Sequence, residues 1–175
     1  MRLDIGCGPN KRENFTGVDV AKFDGVDVVC AVGREPLPFA DGSVEEVHAS
    51  HFMEHLEANE RMFFMNDLYR VMKPGAKATI IVPHWNSNRA YGDMTHKWPP
   101  VSEMFFYYLK REWREANAPH CDKKHNPEGM DCDFDATWGY SVNGALHTRN
   151  PEFQQFAMTW YKEAVQDIHT TLTRR

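Results

Sequence analysis

The feature that most constrains this chain is a short apolar strand that runs straight into a glycine turn. Arg2-Leu3-Asp4-Ile5 leads at once into Gly6-Cys7-Gly8-Pro9, and a second strand, Gly17-Val18-Asp19-Val20, follows a few residues later. Glycine enters φ > 0 without steric cost and proline fixes its own φ, so the chain must turn there. A third apolar run, 26–31, precedes Glu35-Pro36-Leu37-Pro38-Phe39, and Val44 to Ser50 reads as a fourth strand. Residues 56–72 carry Leu56, Met62, Phe63, Met65, Leu68, Tyr69 and Met72 at helical spacing, with Lys73-Pro74-Gly75 as the stop signal. Ala78 to Val82 is a β-branched run ended by Pro83. Strands alternating with helices or loops predict an α/β fold with a mainly parallel sheet flanked by helices.

Beyond Pro83 the pattern loosens. Residues 84–100 have no clear period, which is long for a plain connection and marks a candidate functional loop. Residues 102–117 read as a helix, 117–133 as an exposed polar excursion, 134–142 as a strand, 151–161 as a helix started by Pro151, and 165–172 as a last strand. A chain of 175 residues buries a proper core but is short for two ordinary domains, so 1–175 is expected to be one domain. The 84–133 stretch is expected to be an insertion on the acceptor side. No window approaches 18 apolar residues and no basic-then-apolar leader is visible, so a soluble, cytoplasmic protein without a membrane partner is expected. The four cysteines, one of them inside the glycine turn, do not resemble a secreted disulfide framework. A net charge of −5 argues against strong nonspecific attraction to nucleic acid.

A strand, a glycine turn and an acidic residue closing the next strand form a nucleoside-binding arrangement. Glycines let the backbone approach the ligand, and a carboxylate at a strand end accepts hydrogen bonds from both ribose hydroxyls. A dinucleotide fingerprint would need a glycine where Lys11 stands and an acidic residue about 20 residues further on, whereas Asp19 comes much sooner. The gap from Pro9 to Thr16 is also too short for the helix whose N-terminus holds a pyrophosphate. S-adenosylmethionine has no phosphate and does without that helix.

Four segments carry a family resemblance: 3–9 together with Gly17-Val18-Asp19, then 37–44, then Ser50-His51-Phe52-Met53-Glu54-His55-Leu56, then 68–75. In order and spacing they resemble successive motifs of class I S-adenosylmethionine-dependent methyltransferases, in the branch similar to methyltransferase type 11 with a shortened first helix. The resemblance implies a Rossmann-like sheet and S-adenosyl-L-methionine as cofactor. It implies that Gly6 and Gly8 line the cofactor with Cys7 packed beside them, and that Asp4 faces its methionine portion. Asp19, with Val20 next to it, would hold the ribose, and Ser50 and His51 would close over the ligand. Many relatives place an acidic residue after the third strand to meet the adenine amino group; here Ala31-Val32 stands near that place, so apolar packing and backbone contacts are expected instead.

Other signals have competing readings. His51-Phe52-Met53-Glu54-His55 matches the H-x-x-E-H pattern of zinc hydrolases, but such a helix should begin well before His51. His120, Cys121, His125 and Cys132 are zinc-ligand types at a spacing that fits no standard finger. The aromatics Trp85, Tyr91, Trp98, Phe105, Phe106, Tyr107 and Tyr108 read as a wall for a planar acceptor or, more commonly, as helix packing. Asp93-Met94-Thr95-His96-Lys97-Trp98 follows the fifth strand, where open α/β sheets place their sites. Methyl transfer needs a base only if the acceptor must lose a proton, and the candidates are His96, Asp93 and His84, in that order. The motifs of DNA amino- and cytosine-carbon methyltransferases are missing after the fourth strand. The acceptor, small molecule or macromolecule, is left open, as is the oligomeric state. The other functional readings are a noncatalytic module that binds S-adenosylmethionine or a nucleoside and acts through a partner, and a zinc-dependent hydrolase.

Overall fold

In a computed structural model that describes all residues, Met1–Arg175, the strands order themselves β3-β2-β1-β4-β5-β7-β6 in one sheet. These are β1 (Arg2–Ile5), β2 (Thr16–Asp19), β3 (Val28–Val29), β4 (Val44–Ser50), β5 (Met72–Pro83), β6 (Phe134–Val142) and β7 (Val165–Arg174). The first five pair in parallel, and β7 lies antiparallel between β5 and β6. The chain winds outward from β1 through β2 to β3 and returns on the other side of β1 as β4. The β1/β4 seam is therefore the topological switch point, and the carboxyl ends of those strands open a crevice.

No helix joins β1 to β2. Helix α1 (Ala58–Val71) links β4 to β5 and buries Arg61, Phe64, Met65, Leu68 and Val71 at three- and four-residue spacing. Its first turn is closed by Glu60, whose side chain accepts from the Glu57 N–H at 2.8 Å. The segment 37–41 lies against α1: the Leu37 N–H donates to Asp67 (2.6 Å), and Arg70 donates to the Leu37 and Phe39 carbonyls and to Asp41. The expected stop at Lys73-Pro74-Gly75 becomes a bulge inside β5, because Val44 pairs with Met72 and Glu46 already with Lys77.

Two expectations need correction. Residues 102–117 do not form one helix. A turn α2 (Arg89–Gly92) precedes α3 (Glu103–Tyr108) and α4 (Arg111–Asn117), and the last two are separated because the Leu109 carbonyl accepts from Phe134 N–H (3.0 Å) and Arg111 N–H donates to Asp133 (3.0 Å). Nor is 117–133 simply exposed, since Asp122, Met130 and Cys132 are buried. Arg114, with no exposed surface, donates to Asp122 (2.8 Å) and to the carbonyls of Tyr108 and Cys132. A side chain whose charge is fully satisfied can sit in a core, which polarity patterns cannot anticipate. The chain closes with α5 (Pro151–Trp160), where Pro151 follows Asn150, whose side chain caps Phe153 N–H at 2.8 Å.

Asp122→Ala leaves the Arg114 guanidinium buried without its counter-ion. It is expected to lower the unfolding free energy by about 3–5 kcal/mol, read from urea denaturation. Removing the exposed Lys73–Glu45 pair (2.6 Å) should leave the denaturation midpoint nearly unmoved, because solvent screens both charges.

Candidate active site

At the switch point the backbones after β1 and β4 touch. Gly6 has φ +67°, and a Cβ there would fall 2.6 Å from the Phe52 ring, so only glycine fits. Gly8, also at positive φ, donates its N–H to Asp19 Oδ2 (2.9 Å), while Asp19 Oδ1 takes the Ala21 N–H (3.1 Å). Each Asp19 oxygen keeps a further lone pair for a ligand. Cys7 packs against Gly17, where a Cβ would lie 2.8 Å from its sulfur; burial, then Asp4 and Asp19, raise its thiol pKa, which keeps it a neutral packing group.

Beside this turn opens a cleft of about 330 Å³. Gly6 and Asp19 form its polar edge, Val20, Ala31, Val32, Phe52 and Leu56 its apolar wall, and His51 and His55 its far end. Of the residues expected at the cofactor, Gly6, Asp19, Val20 and His51 line this space. Asp4, Cys7, Gly8 and Ser50 lie outside its lining. Asp4 is buried behind the turn, where it accepts from the Arg12 N–H (2.8 Å) and from His48 Nδ1 (2.9 Å). Its carboxylate holds the turn in shape.

A second cleft, about 450 Å³, shares His51 and His55 with the first and is lined mainly by polar and charged side chains, Glu54, Arg89, Asp93 and His96, with Pro83 and Gly92 beside them. His96 Nδ1 donates to the Ala90 carbonyl (3.2 Å), which leaves its Nε2 lone pair free. Asp93 Oδ1 accepts from Thr95 N–H (2.8 Å) and from the Thr95 hydroxyl (2.6 Å). Those bonds hold the Asp93 carboxyl below its usual range. Its Oδ2 stands 3.9 Å from His96 Nε2, too far for a hydrogen bond. The third candidate base is tied off: His84 is buried, its Nδ1 accepts from Asn86 N–H and its Nε2 donates to Glu103 (3.1 Å). Burial pushes the Glu103 carboxyl up, but bonds from His84, its own backbone N–H and Tyr140 outweigh that and hold it at about 2.

The pattern H-x-x-E-H does not lie along one helix. β4 ends at Ser50, His51 adopts φ +52°, and Met53–His55 is a single 3-10 turn. Glu54 Oε1 accepts from His51 Nδ1 (3.2 Å), an ion pair that raises the His51 pKa. His120, Cys121, His125 and Cys132 do not converge. The cluster of metal-ligating atoms in the fold is Glu54, His55 and His96. Cys132 is fully buried, and that burial pushes its thiol up to about 12. The aromatic run divides as well: Trp85, Tyr91 and Trp98 border a separate shallow groove, whereas Phe106 is core and packs on Trp138. Sequence reasoning missed Arg89, held by Asp167 (2.7 Å), and Glu54, for which the H-x-x-E-H pattern was the available signal.

Residues 3–80 match the family described as a methyltransferase domain. The matched stretch runs from β1 into β5 and holds the glycine turn, Asp19 and the segment after β4, a little under half of the chain. Solved structures of similar fold include an S-adenosylmethionine-dependent methyltransferase from Archaeoglobus fulgidus, with TM-score 0.67, 19% identity, and coverage of 99% of this chain and 85% of that one. A second such methyltransferase, from Methanosarcina mazei, gives TM-score 0.58 at 14% identity over 99% and 91% of the two chains. A geranyl diphosphate methyltransferase in complex with S-adenosylmethionine gives TM-score 0.54 at 14% identity over 99% and 77%. No curated protein matches the sequence significantly. No helix of the chain is long and apolar enough to cross a membrane.

The His51 imidazole is expected to titrate above the ordinary 6.5. The stability it contributes is fully present below its unfolded pKa and is lost as pH rises through the raised folded value. Glu54→Gln should bring the titration back down, followed by NMR of the ring protons; an unmoved midpoint in a folded variant would refute the pairing.

Proposed function

We propose that this chain is an S-adenosylmethionine-dependent methyltransferase that holds its cofactor in the cleft beside Gly6 and Asp19 and methylates a polar acceptor seated in the cleft beside His96. The carrying observation is that a cleft with an apolar wall beside Asp19 and a cleft lined mainly by charged and polar side chains share His51 and His55. S-adenosylmethionine, when bound, supplies an electrophilic methyl group on a sulfonium. The residues present fit it. Asp19 offers lone pairs to the ribose hydroxyls, Val20, Ala31, Val32 and Leu56 offer an apolar slot to adenine, and Gly6 lets the backbone come close. Acceptor recognition falls to the part of 84–133 that borders the polar cleft, from Arg89 to His96, because 119–133 is tied instead to α1, through Asn66 contacts with Gly129, Asp131 and Cys132.

His96 takes the acceptor's proton on Nε2, since the Ala90 carbonyl fixes the tautomer that leaves that nitrogen unprotonated. Asp93 supports the positive charge His96 then carries, at 3.9 Å. Arg89, Glu54 and Asp93 give the cleft charges of both signs, which favours an acceptor with a polar or charged head over an apolar one. We also read the setting as a reducing cytoplasm, supported by four unpaired cysteines.

Asp19→Ala is expected to weaken S-adenosylhomocysteine binding by about 1.5–3 kcal/mol, the scale of charge-assisted hydrogen bonds, measured by calorimetry. An unchanged dissociation constant in a folded variant would move the ribose contact elsewhere. His96→Ala should leave cofactor affinity nearly unchanged and lower turnover by about 10²- to 10⁴-fold. Turnover within a few-fold of the original would leave orientation in the pocket as the source of rate.

A further inference from the structure

Where the two clefts meet, Glu54, His55 and His96 bring their metal-ligating atoms within 4.8 Å of one another. Glu54 is 4% exposed. One of its oxygens accepts from His51, and the other, Oε2, is buried with no hydrogen-bond partner at all. An orphaned carboxylate oxygen in a buried position is rare, because its desolvation goes uncompensated. Neither arginine near it answers it: the Arg61 guanidinium is spent on the carbonyls of Met53, Lys97 and Pro99, and Arg89 pairs with Asp167.

Both imidazoles are oriented as ligands are. The Thr95 hydroxyl has one hydrogen and gives it to Asp93, so it must accept from His55 Nδ1 (2.9 Å), which leaves His55 Nε2 with a free lone pair. His96 reaches the same state through the Ala90 carbonyl. A metal-binding histidine almost always donates its other ring N–H to a carbonyl, carboxylate or similar acceptor, which fixes tautomer and ring direction. Here two histidines and the carboxylate each have that second partner, and all three leave one atom unused.

We propose that Glu54, His55 and His96 form a binding site for a divalent first-row transition ion such as Zn²⁺, Mn²⁺ or Co²⁺, with open positions facing the acceptor cleft. Two nitrogens and one oxygen select such ions over Mg²⁺ or Ca²⁺, which prefer all-oxygen shells. Ligands about 2.1 Å from a tetrahedral ion lie roughly 3.5 Å apart, so the side chains close by about an ångström on loading, a movement open to Glu54 Oε2 because nothing holds it. Binding of the ion follows from these side chains alone; its part in catalysis rests on the methyl-transfer reading. With the ion in place His96 Nε2 is a ligand and no longer the proton acceptor. An acceptor N–H or O–H bound to the ion is acidified and gives its proton to water. The freed electron pair forms the new bond to the methyl carbon as the carbon–sulfur pair stays on sulfur.

The test is titration of the chelator-stripped full chain with Co²⁺ and Zn²⁺, read by calorimetry and by the visible spectrum of the cobalt form, with S-adenosylhomocysteine titrated in parallel. The expected result is one ion per chain, d–d bands of an imidazole-bound low-coordinate ion, and no competition from Mg²⁺ at a hundredfold excess. Glu54→Gln and His96→Gln should each weaken the ion at least a hundredfold. Thr95→Val, a change at an exposed residue, should weaken it about 10- to 100-fold by releasing the His55 ring, and it serves if Glu54→Gln fails to fold. No binding of either ion at 100-fold excess over protein, or equal binding in all variants, overturns the site. Loss of ion binding with S-adenosylhomocysteine still bound leaves the methyl-transfer reading standing. Ion binding without any nucleoside binding supports the site and refutes that reading.

Discussion

The loops around the two clefts depend on Arg61. Its guanidinium is buried in α1 and donates to the carbonyls of Met53 (3.2 Å), Lys97 (3.1 Å) and Pro99 (2.6 Å), none of which belongs to a regular ladder. One side chain thus clamps the turn after β4 to the loop after β5. The Lys97 N–H completes the seam by donating to the Glu54 carbonyl at 2.8 Å. That clamp, with the Thr95 hydroxyl on His55, brings the rings of His55 and His96 to 4.8 Å. Burial opposes the charge, and the planar fork with its several N–H groups is what makes three carbonyls reachable at once; a lysine could not span them.

Around β1 and β2, carboxylates hold in place a connection that has no helix. Three aspartates take backbone N–H groups around β2, two of those groups lying in the connection from β1, one within the strand and one just after it. Asp4 accepts from Arg12, Asp19 from Gly8 and Ala21, and Asp27 from Gly17 (2.7 Å) and from the Lys11 ammonium (2.8 Å). Each backbone donor so satisfied is one fewer reason for the loop to coil into a helix. Asp19 therefore has two duties, shaping the turn and facing the cleft.

The parts of the fold that a reader of the sequence could find are those encoded by neighbours. β4 runs from Val44 to Ser50 and β6 from Phe134 to Val142 as their patterns predict, since alternation or glycine and proline boundaries mark them. The glycine turn and Asp19 were legible for the same reason: the chemistry lies within a few residues. What escaped depends on partners distant in sequence. The break at Leu109 is made by Phe134 and Asp133, the burial of Asp122 and Cys132 by Arg114, and the clamp on the acceptor loop by Arg61 reaching to Pro99. In each case arginine or aspartate, which a periodicity argument counts as outward-facing, turns inward because its hydrogen bonds are complete.

His51 bridges both clefts from a backbone that an L-residue adopts reluctantly. At φ +52° its Cβ crowds the following carbonyl, at a cost of about 1–2 kcal/mol that glycine would not incur. Its N–H is nonetheless pinned to the Ile81 carbonyl at 2.9 Å, so the chain cannot relax away. Thermal endurance and chemistry therefore pull against each other at a single α-carbon. A lineage shaped only by heat would drift toward glycine or asparagine there and lose the ring that joins the two halves of the cavity, whereas one that keeps the imidazole carries a permanently less stable hinge between them.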